Sequence, residues 1–111
     1  MKYNQGDIVL VPFPFTNASE DKVRPAIIIS NSKVNSTKDI ILAQITGQAR
    51  ADDFSYVLKD SHVTYSLRGY SEVRCNKIFT AEKEIVIRKI SDLKKDVYKE
   101  ILEIISDLIS E

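Results

Sequence analysis

The sequence holds a single cysteine, Cys75, and a single histidine, His62, and its charges cancel, with 16 Lys and Arg against 16 Asp and Glu. Each scarcity excludes something. One cysteine cannot close an internal disulfide, which fits a reducing compartment. One histidine, with no cluster of Cys and His at ligand spacing, is poor material for a metal site or a histidine-based triad, so neither a metal nor another cofactor is expected. A formal net charge of zero supplies no global basic field, which argues against coating long nucleic acid through many phosphate contacts and leaves room for a small, locally basic cleft. No apolar run approaches the roughly 18 residues of a membrane span, and the opening residues lack a signal-peptide pattern, so the expected location is cytoplasmic and away from membranes.

What is present is an ordinary globular composition, 43% apolar and 29% charged, over 111 residues. That length predicts one domain, residues 1–111, large enough to bury a core without staples. The organising stretch is residues 22–30, K-V-R-P-A-I-I-I-S. Proline disfavours the helical region for the residue before it, so Arg24 should be held extended where a strand begins. Pro25 is followed by a short β-branched run suited to a central strand buried on both faces. A second strand is predicted over residues 40–46, I-I-L-A-Q-I-T. If the two pair as an antiparallel hairpin with Ser30 opposite Ile40, Arg24 falls across from Thr46, and side chains so paired sit about 5 Å apart. The connection between them, residues 31–39, is too long for turn type to set that register.

Ahead of this hairpin, Gly6-Asp7 opens I-V-L-V-P-F-P-F-T. Its first half reads as a buried strand. Pro12 and Pro14 lack amide donors, so the second half belongs at a sheet edge or in an extended arm. Phe13 and Phe15 can plug the end of a barrel, or one of them can offer a stacking face to a base or a peptide. Residues 16–22, T-N-A-S-E-D-K, read as a polar surface loop that delivers the chain to Arg24, with Glu20 and Asp21 the nearest carboxylates in sequence. After the hairpin, Phe54, Tyr56 and Leu58 alternate with Ser55, Val57 and Lys59 and predict a short strand. His62 is expected in an exposed loop. Residues 72–80, E-V-R-C-N-K-I-F-T, read as a strand with broken alternation, compatible with a bulge or bend. Residues 82–84 form a charged turn and residues 85–90 a last strand. Residues 94–110 are a helix with a wide apolar stripe through Val97, Ile101, Ile104 and Leu108, able to pack on a barrel and to bury a second copy. The fold class predicted is mainly β with one C-terminal helix, a small SH3-like barrel.

Taken together, Gly6-Asp7, residues 12–15, Arg24-Pro25 and the I-T-x-Q run of Ile45, Thr46 and Gln48 resemble the MazF/PemK family of toxin ribonucleases. The order matches over nearly the whole chain: G-D-I-V-x-V, a polar loop, R-P-x-x-x-x-S, I-T-x-Q, a late S-x-V strand and a terminal amphipathic helix. The resemblance implies a homodimeric SH3-like barrel that cuts single-stranded RNA without a metal and is neutralised by a cognate antitoxin whose peptide occupies the RNA groove. Carried over by residue, the key arginine falls on Arg24, the key hydroxyl on Thr46, and the loop glutamate on Glu20. RNA contacts are expected at Phe15, Thr16, Gln48, Asn76 and Lys77, although the residue types at Asn76 and Lys77 differ from those of relatives and leave the cleavage sequence open.

RNA brings its own nucleophile, the 2′-hydroxyl, so an enzyme need only align it, help remove its proton and stabilise charge on the phosphorus. A guanidinium presents a planar fork of donors to phosphate oxygens, which suits Arg24. Thr46 would hold the scissile phosphate by a hydrogen bond, and Glu20 is the candidate base. The expected product is a 2′,3′-cyclic phosphate, and DNA should survive. Competing possibilities are that Arg24 merely pairs with Asp7 or Glu20, that the barrel holds RNA or peptide without cutting, or that the chain is a gyrase-poisoning toxin of related fold. The last would have no use for the Arg24 and Thr46 pairing.

Overall fold

The structure is a computed structural model and describes residues 2–13 and 22–111. The expectations on Phe15, Thr16, Glu20 and the polar loop lie outside the described residues, as does that on the ring of Phe13. Strands β1 (Asp7–Phe13), β2 (Lys22–Ile28), β3 (Asp39–Thr46), β4 (Ser55–Val57), β5 (Glu72–Glu82) and β6 (Arg88–Asp92) form one antiparallel sheet in the order β4-β5-β3-β2-β1-β6. A four-residue helix α1 (Ser32–Asn35) lies between β2 and β3, and helix α2 (Lys95–Ile109) follows β6. On a flat sheet β5 and β6 would stand about 19 Å apart, four strand spacings. The connection over residues 83–87 contains a 3-10 turn, Lys83–Ile85, and is too short for that, so the sheet curls. This is the mainly β, strongly bent sheet with a C-terminal helix that the sequence predicts.

Strand alternation builds a core on each face. On the outer face Ile8, Ile27, Ala43, Ile45, Val73 and Cys75 pack against Val97, Ile101 and Ile105 of α2. Inside the curl, Val9, Val11, Ala26, Ile28, Ile40 and Leu42 pack with Tyr3. The β2 run therefore is a central strand buried on both sides. β6 pairs with Asp7 to Leu10 of β1 only, so Val11 to Phe13 form an edge on that side, where Pro12 has no amide to offer.

The β2–β3 register is the one expected: Ala26 pairs with Gln44, Ile27 with Ala43 and Ile28 with Leu42. What sets it is a side-chain lock in the connection. The Ser30 hydroxyl donates to Oδ1 of Asn35 at 2.5 Å, the Asn35 amide donates to the Ser30 carbonyl at 2.7 Å, and the Ile41 N–H donates to Oγ of Ser30 at 2.9 Å. Asn31 accepts from the N–H of Lys33 and caps α1, a helical turn where only a loop was expected.

Three further differences separate structure from sequence. The last strand begins at Arg88, not Ile85, because residues 83–85 wind into the turn and pairing with β1 starts where the Ile87 N–H reaches the Leu10 carbonyl at 2.9 Å. His62 is half-buried; its Nδ1 accepts the Lys59 N–H at 3.0 Å and its ring lies 5.7 Å from that of Tyr56. The helix stripe divides: Val97, Tyr98, Ile101 and Ile105 are buried, whereas Leu108 is 40% and Ile109 77% exposed. Among the described residues no helix is long and apolar enough to cross a membrane.

Candidate active site

Inside the curl the facing rows of β2 and β3 run from apolar to polar. Ile28 faces Leu42 and Ala26 faces Gln44, where the paired ladder ends, and two residues further along each strand stand Arg24 and Thr46. There the rows open into a cleft of about 530 Å³ lined by Arg24 and Thr46 together with Gln48, Arg50, Arg74 and Lys77. Ile78 and Phe79 supply an apolar wall. Among the described residues no acidic side chain lines it, so an electrically neutral chain gathers four cations at one place.

Each side chain is delivered by a local feature. Arg24, locked extended before Pro25, pairs with Val11 in the β1–β2 ladder. Thr46 closes β3 opposite Glu72. The β3–β5 register jumps between Ala43–Ile78 and Gln44–Arg74, so residues 75–77 bulge from β5. Cys75 turns into the outer core, where burial and then the charge of Asp52 raise its thiol pKa to about 11. Lys77 reaches the cleft, while Asn76 is exposed on the bulge and is not among the lining residues.

Thr46 is 2% exposed, and its Oγ1 accepts the Gln48 N–H at 3.2 Å and Nη2 of Arg50 at 3.4 Å. A hydroxyl has two acceptor positions and one proton. Both acceptor positions are filled, so what remains to offer the cleft is the hydrogen, which no acceptor among the described residues takes. The arginines show the complementary need. Nε of Arg24 and Nε of Arg74 are shut off from solvent and have no acceptor among the described residues, a state that costs free energy until an acceptor arrives. The alternative pairing of Arg24 with Asp7 does not occur, since Asp7 accepts the Asn4 N–H at 2.9 Å and pairs with Lys89 at 3.2 Å. Among the described residues no group of three or more His, Cys, Asp or Glu is placed to hold a metal ion.

Of the residues expected from sequence, the fold gathers Arg24, Thr46, Gln48 and Lys77. It adds Arg50 and Arg74, and behind them Glu72 and Tyr70. Strand alternation carried a signal for Glu72 and Arg74, which lie opposite Val73 and Cys75, but only the pairing of β5 with β3 puts them on the same face as Thr46. Glu72 is 4% exposed and accepts the Arg50 N–H at 3.2 Å and the Tyr70 hydroxyl. That last bond raises the Tyr70 pKa.

A curled sheet backed by one helix, open onto a cationic cleft whose donors are not all met among the described residues, defines a small β domain fitted to an anionic ligand. Residues 4–109 match the PemK-like, MazF-like toxins of type II toxin-antitoxin systems, and the chain belongs to that family. A search of curated proteins finds no match. Solved structures with the same fold include a mycobacterial endoribonuclease in complex with its cognate antitoxin, 15% identical, covering 95% of this chain and 92% of that one at a TM-score of 0.78. A MazE-MazF structure from Deinococcus radiodurans is 18% identical over 98% and 97% of the two chains at 0.79. The Mycobacterium tuberculosis toxin MazF-mt6 is 20% identical over 91% and 93% at 0.73.

Proposed function

We propose that this toxin is an endoribonuclease that cuts single-stranded RNA without a metal, by attack of a 2′-hydroxyl on the adjacent phosphorus. The observation that carries the reading is the convergence of Arg24 and Thr46 on one cationic cleft, where, among the described residues, the Thr46 hydrogen has no acceptor and neither have two arginine Nε atoms. The 2′-oxygen, giving up its proton, forms a bond to phosphorus as the bond to the 5′-oxygen breaks and that oxygen takes a proton from water, leaving a 2′,3′-cyclic phosphate and a 5′-hydroxyl end. Thr46 donates to a non-bridging oxygen and holds the phosphate in line. Arg24 neutralises the charge that builds there, and preorganised donors of this kind are worth roughly a hundredfold or more each. Glu20 is the proposed acceptor for the 2′-proton, and Phe15, Thr16, Gln48, Asn76 and Lys77 the proposed RNA contacts.

The family supports a cognate antitoxin as partner, and a peptide of that antitoxin would compete with RNA for the cleft. Exposed Leu108 and Ile109 support a homodimer, and a toxin of this type acts in the cytoplasm.

Incubation with mixed-sequence RNA in chelator tests the reaction. Fragments ending in cyclic phosphate, lost in Arg24→Ala and retained in His62→Ala, whose residue lies outside the cleft, support it. Intact RNA that is nonetheless bound would replace it with a non-cutting RNA-binding module.

A further inference from the structure

Arg50 and Glu72 take no part in the reaction above, yet both are tied to Thr46. Glu72 stands directly opposite Thr46 in the β3–β5 ladder with its carboxylate buried. Burying a carboxylate is costly unless its oxygens are satisfied, and here one accepts the Arg50 N–H at 3.2 Å and the other the Tyr70 hydroxyl. This grip fixes the backbone of the turn after β3 at the point from which the Arg50 guanidinium reaches back to Oγ1 of Thr46 at 3.4 Å. A cationic donor and the Gln48 amide thus load the acceptor side of one hydroxyl, and hydrogen bonds in series polarise one another.

We propose that Arg50 and Glu72 are positioning residues for Thr46. Arg50 occupies the acceptor side of the hydroxyl so that its hydrogen is directed to a phosphate oxygen, and Glu72, held by Tyr70, keeps the Arg50 backbone in place. The inference rests on the assignment of Thr46 as a phosphate donor.

A double-mutant cycle on RNA cleavage separates the two claims. Thr46→Val should lower kcat roughly a hundredfold. Arg50→Met, at an exposed position that does not threaten folding, should lower kcat roughly tenfold with KM little changed. In the Thr46→Val background Arg50→Met should cost nothing further, because the oxygen it acts through is gone. Glu72→Gln keeps an acceptor for the Arg50 N–H and should retain most of the activity that Glu72→Ala loses. If Glu72→Ala does not fold, the Arg50 cycle decides alone. An undiminished loss from Arg50→Met in the Thr46→Val background, or no loss in the wild-type background, overturns the positioning role and leaves Thr46 as assigned. Wild-type kcat in Thr46→Val overturns the assignment of Thr46 itself.

Discussion

Replacing Arg24 with methionine should make the protein more stable while removing its activity. Nε of Arg24 is closed to solvent and without an acceptor among the described residues, and a buried donor left unpaired costs about 1–3 kcal/mol. Methionine retains most of the aliphatic stem, at a position paired with Val11 in the ladder, and its side chain carries no N–H. Lost packing and lost hydration of the guanidinium offset part of the gain, so the net expectation is about 1 kcal/mol. For a domain of this size that raises Tm by roughly 4 °C. Cleavage of RNA should fall at least about a hundredfold, since the guanidinium is the group proposed to meet charge on the phosphate. Thermal unfolding followed by circular dichroism and single-turnover cleavage of a defined RNA measure the two effects on one preparation. A variant destabilised by more than about 1 kcal/mol would show that the guanidinium is satisfied within the fold. The claim that the cleft is held in readiness for an anion would then fail, whatever the activity.

The cations of the cleft should register in salt dependence. With Arg24, Arg74 and Lys77 engaged, binding of an uncleavable 2′-deoxy oligonucleotide should show a slope of log K against log salt of about −2, at about 0.7 per phosphate, and Lys77→Ala should reduce its magnitude by about 0.7. Ile101 is wholly buried between α2 and the outer face of the sheet, so Ile101→Ala should cost about 2–5 kcal/mol in denaturant titration. The Tyr98 hydroxyl donates to the Ile29 carbonyl at 2.8 Å, and burial raises its pKa above the ordinary 10.0. A group whose pKa is raised on folding contributes stability that is complete below the unfolded value and lost as pH rises through the folded one. Tyr98→Phe should therefore cost about 1 kcal/mol at pH 8, and the difference from wild type should shrink as pH is taken above 10.

Much of the fold is legible because it is local. Arg24-Pro25 and the β-branched run after it specify an extended, doubly buried strand whatever surrounds them, and the stripe of α2 specifies which of its sides meets the sheet. The register between β2 and β3 is less local. Nothing in residues 31–39 reads as a fixed turn, and the alignment depends on Ser30 and Asn35 binding one another and the Ile41 amide. Arg74 and Glu72 were illegible as site residues because alternation tells which side of β5 they take and says nothing of the strand beside it. Asn76 and Lys77 are neighbours in sequence, but the bulge sends only Lys77 to the cleft.

What the chain's order of residues determines by itself is a set of strand and helix periods, a cation held stiff by a proline, and a neutral total charge. What the tertiary structure alone decides is that residues 24, 46, 50, 74 and 77, from three strands and a turn, share one opening. The reason is that periodicity is set by the backbone of each segment. The meeting of distant segments is set by the curl of the sheet and the placement of one bulge, whose energies lie in contacts no single segment contains.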